Sequence, residues 1–202
     1  MKNDIINEKV KILISSYLNK PYENRVNTLK CLIYSLLSQT HTNFKILVHH
    51  DGPLENKNIK LEIENIDSRI SFIETPERKN QWGFDVRYKL AIEEDDCKYI
   101  LFTNDDNYYM PVFLEVFVAA LENTDTELCY CNLIHNERNY TILDASPEIG
   151  NVDLGCFIAS KSLIKKIPWQ YSIKEADGIY FKKLYKNSKN PAKVTNVLFV
   201  HN

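Results

Sequence analysis

The stretch from Val10 to His50 constrains the fold more than any other part of the chain. It begins with "VKILISS", short, apolar and β-branched, which stops at the polar "YLNKPYEN" and reads as a buried first strand. From Arg25 to Ser38 the apolar residues Val26, Leu29, Leu32, Ile33, Leu36 and Leu37 recur at helical spacing, with Asn24 in place as the N-cap. "FKILVHH", Phe44 to His50, is a second strand, halted by "DGP". Strand, crossover helix and strand make a βαβ unit, in which the strands run parallel and the connection is right-handed.

The alternation continues. "RISFIE" reads as a third strand, followed by a helix around Phe84 to Glu94, "YILFT" (Tyr99 to Thr103) as a fourth strand, and a helix from Pro111 to about Glu122. "ELCYCNLI" is a further strand, "YTILD" and "GCFIAS" are shorter ones, "KSLIKKI" and "DGIYFKKLY" are helices, and "KVTNVLFVHN" is the last strand. This order predicts an α/β fold with a mostly parallel central sheet flanked by helices on both faces. At 202 residues and 44% hydrophobic content, with no repeat or linker, one domain over residues 1–202 is expected.

Composition excludes some functions. The net charge of −2 is spread over the whole length without a basic stripe, which argues against a nucleic-acid partner. The first residues lack the apolar core of a secretory signal, and no window has the apolar length of a membrane helix. The expectation is a soluble, cytoplasmic chain without a transmembrane segment, peripheral contact with a membrane being left open. The five cysteines form no CxxC pair and read as reduced thiols, mostly in the core. Cys129 and Cys131, two apart on one strand, lack nearby partners for a metal site.

In an open parallel sheet, ligands bind beyond the carboxyl ends of the strands. The first strand ends in Ser15-Ser16-Tyr17, the second in Asp51-Gly52, and the fourth in Asn104-Asp105-Asp106-Asn107, so parallel pairing brings all three ends to one rim. Asp-Gly and Asn-Asp taken singly are ordinary turn formers. Asp105 and Asp106, however, are adjacent carboxylates in a stretch with no Lys or Arg between Lys98 and Arg138. Such a pair is costly unless a cation or a distant Lys or Arg offsets it. Mg²⁺ and Mn²⁺ take oxygen ligands and need only one or two carboxylates when substrate phosphates and water supply the rest, so a diphosphate suits this rim.

These residues resemble the family 2 glycosyltransferases, which have the nucleotide-diphospho-sugar (GT-A) fold. "VKILISSYLNKPYENRVNTLKCLIYSLLSQTHTNFKILVHHDGP" is similar to that family's opening segment of strand, "TYN", helix ending near "SLLSQT", and "NFEIIVVDDGS". "NQWGFDVRYKLAIEEDDCKYILFTNDDNYYMPVFLE" resembles its next block, where a D-x-D motif precedes a Pro-led helix. The resemblance implies a nucleotide-binding half at 1–110 and an acceptor and catalytic half at 111–202. It also implies that Asp51 bonds the nucleotide base, that Ser16 and Tyr17 contact base and ribose, and that Arg87 lies near the diphosphate. Asn104-Asp105-Asp106 overlays the D-x-D motif, which makes Asp106 the metal-binding carboxylate and puts Asn104 and Asp105 beside the nucleotide. The sequence departs from the pattern at Asn104, where the first Asp usually stands, and at Leu18, where "TYN" has Asn. In several such enzymes a late histidine completes the cation site, and His201 is similarly placed.

An inverting sugar transfer needs a carboxylate to take the acceptor's proton while a cation stabilises the departing diphosphate. "KEADGIYFKKLY" resembles the family's "ED" motif, with Asp177 at the catalytic position and Glu175 as the fallback. Asp177 is equally placed to cap its helix, and the two uses are compatible. "GNVDLGCFIASKSLI" resembles the segment that lines the donor-sugar and acceptor pocket, with Asp153 on sugar hydroxyls and Gly155 allowing close backbone approach. His49 and His50 read as structural. Trp82, Trp169, Tyr108 and Tyr109 read as packing residues, sugar stacking being the alternative. The implied activity is a metal-dependent (Mn²⁺ or Mg²⁺), inverting transfer from a nucleotide-diphosphate sugar, first of all a UDP-sugar, to a saccharide or glycolipid hydroxyl in surface polysaccharide or glycan biosynthesis. A nucleotidyltransferase is disfavoured because "SSYLNKPYEN" contains no glycine to grip phosphates. A non-catalytic nucleotide- or glycan-binding module is the other rival, kept open by Asn104.

Overall fold

The computed structural model describes residues 9–81, 83–170, 173 and 175–202; Trp82 lies outside the described residues. The elements run β1 (Val10–Ser16), α1 (Arg25–Leu37), β2 (Phe44–His50), α2 (Lys57–Glu64), β3 (Ile70–Glu74), α3 (Phe84–Ile92), β4 (Tyr99–Asn104), β5 (Tyr108–Tyr109) and α4 (Phe113–Asn123). They continue with β6 (Leu128–His135), β7 (Thr141–Leu143), β8 (Phe157–Ser160), α5 (Lys161–Lys166), α6 (Ala176–Asn187) and β9 (Ala192–His201). Single 3₁₀ turns stand at Asn136–Arg138 and Leu154–Cys156.

All these strands join one sheet in the order β3-β2-β1-β4-β8-β6-β9-β5, with β7 paired to β6. Strands β3, β2, β1 and β4 are parallel, as the βαβ pattern requires. Past β4 the sheet is mixed: β8 is antiparallel to both β4 and β6, whereas β9 runs parallel to β6. The path from β6 through β7 to β8 carries only 3₁₀ turns, and without a crossover helix the chain returns antiparallel.

Residues Val10, Ile12, Leu13 and Ile14 of β1 are almost wholly inaccessible, which explains a mostly apolar strand in place of an alternating one; Lys11, the exception, is buried too. Helix α1 buries Leu29, Leu32, Ile33 and Leu36. Asn24 does not cap it. Asn24 is itself in the right-handed helical conformation and makes no side-chain cap bond, because backbone carbonyls of the preceding turn, Tyr22 and Glu23, already accept from Arg25 and Val26. Helix α4 begins at Phe113, two residues past the expected Pro111, whose carbonyl is turned to accept from the Thr40 N–H at 2.8 Å. Cys97, Cys129, Cys131 and Cys156 are buried, while Cys31 is exposed on α1; all are free thiols. Burial pushes the Cys129 and Cys131 thiols up to about 12, which keeps them unreactive. Among the described residues no helix is long and apolar enough to cross a membrane.

Chain order makes β1 the switch strand. From β1 the chain steps outward to β2 and β3, then returns to β4 on the other side of β1, leaving a crevice beyond the carboxyl ends of β1 and β4. The register sets Ser15 beside Asn104 and Ser16 beside His50. The three polar strand ends therefore do share one rim.

Away from that rim, Asp95 joins three lysines. Its carboxylate meets Lys11 at 2.5 Å, Lys161 at 2.8 Å and Lys45 at 3.0 Å, and Lys11 also donates to the Leu90 carbonyl at 2.7 Å. Burial works against the Asp95 charge, but hydrogen bonds from Lys11, Lys161 and Lys45 outweigh it and hold the carboxyl well below its usual range. Asp96 pairs with Lys9 at 2.8 Å, so lysines balance this acidic cluster. Asp95→Ala strands the Lys11 ammonium, whose side chain is 2% exposed, and is expected to cost about 3–5 kcal/mol in urea melts at neutral pH. Because the folded pKa of Asp95 is depressed, this contribution is present above the unfolded carboxylate pKa and disappears as pH falls through the folded value.

Candidate functional site

A cavity of about 420 Å³ opens at the switch point. The Tyr17 ring in its wall stacks on the His50 imidazole, with centroids 5.4 Å apart, and the Arg78 guanidinium lies over Tyr17 at 3.7 Å. His50 is held by the Gly52 carbonyl at its Nδ1 and by the Leu18 N–H at its Nε2, which makes it a fixed support for Tyr17. Asp51 accepts the backbone N–H groups of Lys79 and Asn80 at 2.9 and 2.8 Å, and so draws the loop after β3 over the cavity. Gly52 permits this: it has φ of 95°, and a Cβ there would stand 3.0 Å from the Arg78 backbone.

The two adjacent carboxylates have different surroundings. Asp105 is buried, accepting from the Ser16 hydroxyl at 2.6 Å and from Arg25 Nη1 at 3.0 Å. Burial outweighs those bonds and pushes it up to about 6. Asp106 keeps a quarter of its side chain exposed, and Arg25 Nη2 stands 3.9 Å away. Burial raises its pKa too, against the pull of Arg25 and His201. Arg25 is thus the distant cation that offsets the pair, and Asp106 is the member with open ligand capacity.

A second cavity, about 490 Å³, adjoins the first and shares Arg87 and Asn104 with it. Arg87 is buried, donating from Nε to Ser15 Oγ and from Nη2 to Asn104 Oδ1, both at 2.5 Å. Burial lowers it to about 10 while Asp153, Asp105 and Asp177 pull it upward, so it stays charged at neutral pH. Asp177, in the first turn of α6, faces this cavity and accepts the Gly178 N–H at 2.7 Å. Burial, reinforced by Asp153, pushes it up to about 6. Glu175 is exposed at the same rim. His201 ends β9 in register with His135 at the end of β6, and their rings lie 4.4 Å apart.

All the site residues expected from sequence gather at these two cavities, though several are engaged with protein groups. Asp153 is buried, with Oδ1 accepting from the Gly155 N–H at 2.8 Å and Oδ2 3.0 Å from His201 Nδ1. Gly155 does allow close approach, but to side chains: a Cβ there would lie 2.5 Å from Phe199 and 2.7 Å from the Tyr109 hydroxyl. Trp169 packs on Phe84 and Tyr180 with centroids 4.8 and 4.1 Å apart, as a packing residue should. Tyr109 is buried and Tyr108 exposed. Sequence reading missed Arg25, Arg78 and His135. Their signal was positional, since Arg25 opens the helix after the first strand, Arg78 follows the third, and His135 closes the sixth.

Residues 21–182, most of the chain, match Glycosyl transferase family 2. The chain belongs to this family. As a family 2 glycosyltransferase it is 29% identical over 136 residues to an uncharacterized glycosyltransferase of Rickettsia bellii (strain RML369-C), a match covering 67% of this chain and 17% of that one. A glycosyltransferase of Rickettsia felis (strain ATCC VR-1525 / URRWXCal2), likewise uncharacterized, is 30% identical over 117 residues, 58% of this chain and 18% of its own. The transferase therefore spans under a fifth of the length of these relatives. Among solved structures, S. aureus TarS 1–349 superimposes with a TM-score of 0.73 at 16% identity, over 96% of this chain and 60% of that one, and the same fragment has been solved with UDP and with UDP-GlcNAc. The mannosyltransferase PcManGT from Pyrobaculum calidifontis, solved with GDP-Man and Mn²⁺, gives 0.72 at 11% identity over 95% of this chain and 56% of its own. At such identities the likeness establishes the GT-A fold.

Proposed function

We propose that this glycosyltransferase moves a sugar, with inversion, from a nucleotide-diphosphate sugar to a saccharide or glycolipid hydroxyl, with a UDP-sugar as the first donor to test and surface polysaccharide or glycan assembly as the setting. The observation that carries this reading is the pair of adjoining cavities joined at Arg87 and Asn104, with Asp106 in the first and Asp177 in the second. The described residues lining the first cavity all come from Ser15 to Asp106, which supports a nucleotide-binding half at 1–110 and a catalytic half at 111–202.

Tyr17 and Asp51 hold the base, and Arg87 draws the diphosphate to the junction of the cavities. Asn104 has its oxygen committed to Arg87, so its part is to orient that guanidinium, which needs no negative charge. The donor set suits a divalent cation: Asp106 combines a partly open carboxylate with a burial-raised pKa, the mark of an under-compensated charge, and His201 supplies an imidazole within its field. Asp106 and His201 would hold Mn²⁺ or Mg²⁺, which when bound neutralises charge on the leaving diphosphate. Asp177 takes the proton from the acceptor hydroxyl as its oxygen attacks the anomeric carbon; the new C–O bond forms while the bond to the diphosphate breaks, and the diphosphate leaves with the electron pair. A carboxylate titrating near 6 is ionised at neutral pH yet basic enough to help.

The test is incubation with a panel of nucleotide sugars and Mn²⁺. Release of free nucleoside diphosphate from one donor is expected, faster when a sugar acceptor is added. Pyrophosphate release would instead mean nucleotidyl transfer, and saturable binding without any product would mean a binding module.

A further inference from the structure

Two histidines stand side by side at the ends of β6 and β9, and their surroundings give their ring nitrogens opposite roles. At His135, Nδ1 accepts the Glu137 N–H at 3.2 Å, a donor it shares with Asn136 Oδ1 at 2.6 Å, so Nδ1 faces an N–H and the proton of the neutral ring belongs on Nε2. At His201, Nδ1 is buried and stands 3.0 Å from Asp153 Oδ2. The contact is not itself a hydrogen bond, yet Nδ1 has no other partner among the described residues, so the carboxylate is the acceptor available to its proton. Asp153 in turn cannot rotate away, because Oδ1 accepts the Gly155 N–H at 2.8 Å and its side chain is only 8% exposed.

We propose that Asp153 is a positioning residue for the cation site: it fixes His201 as the Nδ1–H tautomer and thereby leaves Nε2 with the lone pair that a metal ion takes. This rests on the proposed cation site at Asp106 and His201. Carboxylates behind metal-binding imidazoles orient the ring and raise its basicity, and losing one costs about 10–100-fold in metal affinity. The arrangement also explains a buried Asp in a pocket where substrate contact was expected: both of its oxygens face protein nitrogens, and it reaches the cation site through His201. His135, with its proton on Nε2, is by the same reasoning a donor rather than a ligand.

Asp153→Asn makes a sharp test. The Gly155 N–H requires the amide oxygen on its side, so the amide NH₂ faces His201 and forces Nδ1 to accept, moving the ring proton to Nε2. Long-range ¹⁵N–¹H spectra of the metal-free chain at alkaline pH should show His201 as Nδ1–H and His135 as Nε2–H in the wild type, with His201 switching in the variant. In the presence of UDP, Mn²⁺ titrated by EPR should bind the variant about 10–100-fold more weakly. Wild-type His201 found as Nε2–H overturns the proposal without any variant having to fold. So does a tautomer switch with unchanged Mn²⁺ affinity, provided Asp106→Ala still abolishes Mn²⁺ binding; in that case the cation site stands and His201 is not its ligand. Wild type that binds no Mn²⁺ beside UDP removes the cation site itself, and this inference with it.

Discussion

Asp177→Asn is expected to lower sugar transfer by about 10²–10⁴-fold while nucleoside diphosphate binding stays near the wild-type value. The two readouts separate because Asp177 lines the second cavity and not the first. The amide keeps an oxygen for the Gly178 N–H, so the start of α6 is retained while the proton acceptor is lost. In the wild type, kcat should fall on the acid side with an apparent pKa near 6, because protonation of Asp177 removes the base. The same raised pKa makes a stability prediction of opposite sign. A folded pKa of about 6 against 3.8 unfolded means that the group favours the folded state below pH 4, and that this advantage is lost as pH rises through 6. Asp177→Asn should therefore stabilise the fold at neutral pH, by up to roughly 2–3 kcal/mol in urea melts, and have little effect at pH 4. Wild-type-like transfer by the variant would shift the base to Glu175, the exposed carboxylate two residues earlier.

Asp106→Ala should abolish cation-dependent turnover with the fold intact, and weaken Mn²⁺ binding beside UDP by at least about 100-fold. Asp106 has the exposure and the unsatisfied charge for this role, whereas its neighbour Asp105 is tied to Ser16 and Arg25. The contrast between the two is itself measurable. Asp105→Ala strips a half-exposed guanidinium and a buried hydroxyl of their acceptor, so its main effect should be on melting temperature, while Asp106→Ala should melt close to the wild type. Full activity in Asp106→Ala would reject the cation site.

Much of the fold was legible because burial leaves a plain trace: β1, β2 and β4 are mostly apolar runs, broken by Lys11 in β1 and Lys45 in β2, and α1 repeats its apolar residues at helical spacing. Helix α2 was not legible. It buries only Ile59 and Ile63, one turn apart, and leans on Asn56, whose side chain caps it through the Asn58 N–H at 3.1 Å. Strand β5 is two residues long and exists through its pairing with β9, which no local pattern announces. The mixed half of the sheet was hidden for a related reason, since strand direction there follows from connections that lack a helix. At the site, the rim carboxylates could be read from strand ends. Their counter-ions could not: Arg25 lies eighty residues before Asp105 in the chain, and Arg78 reaches Tyr17 because Asp51 pulls in its loop.

The division of the cavities along the chain has a consequence for how the enzyme comes into being. A growing polypeptide that has passed Asp106 already carries the described side chains that line the first cavity, whereas the neighbouring cavity waits for His201 on β9. That strand must pair with β6 over a sequence separation of more than sixty residues, a late and slow event in chain assembly. The lining of the first cavity is therefore synthesised before that of the second, whose completion waits on the pairing of β9 with β6.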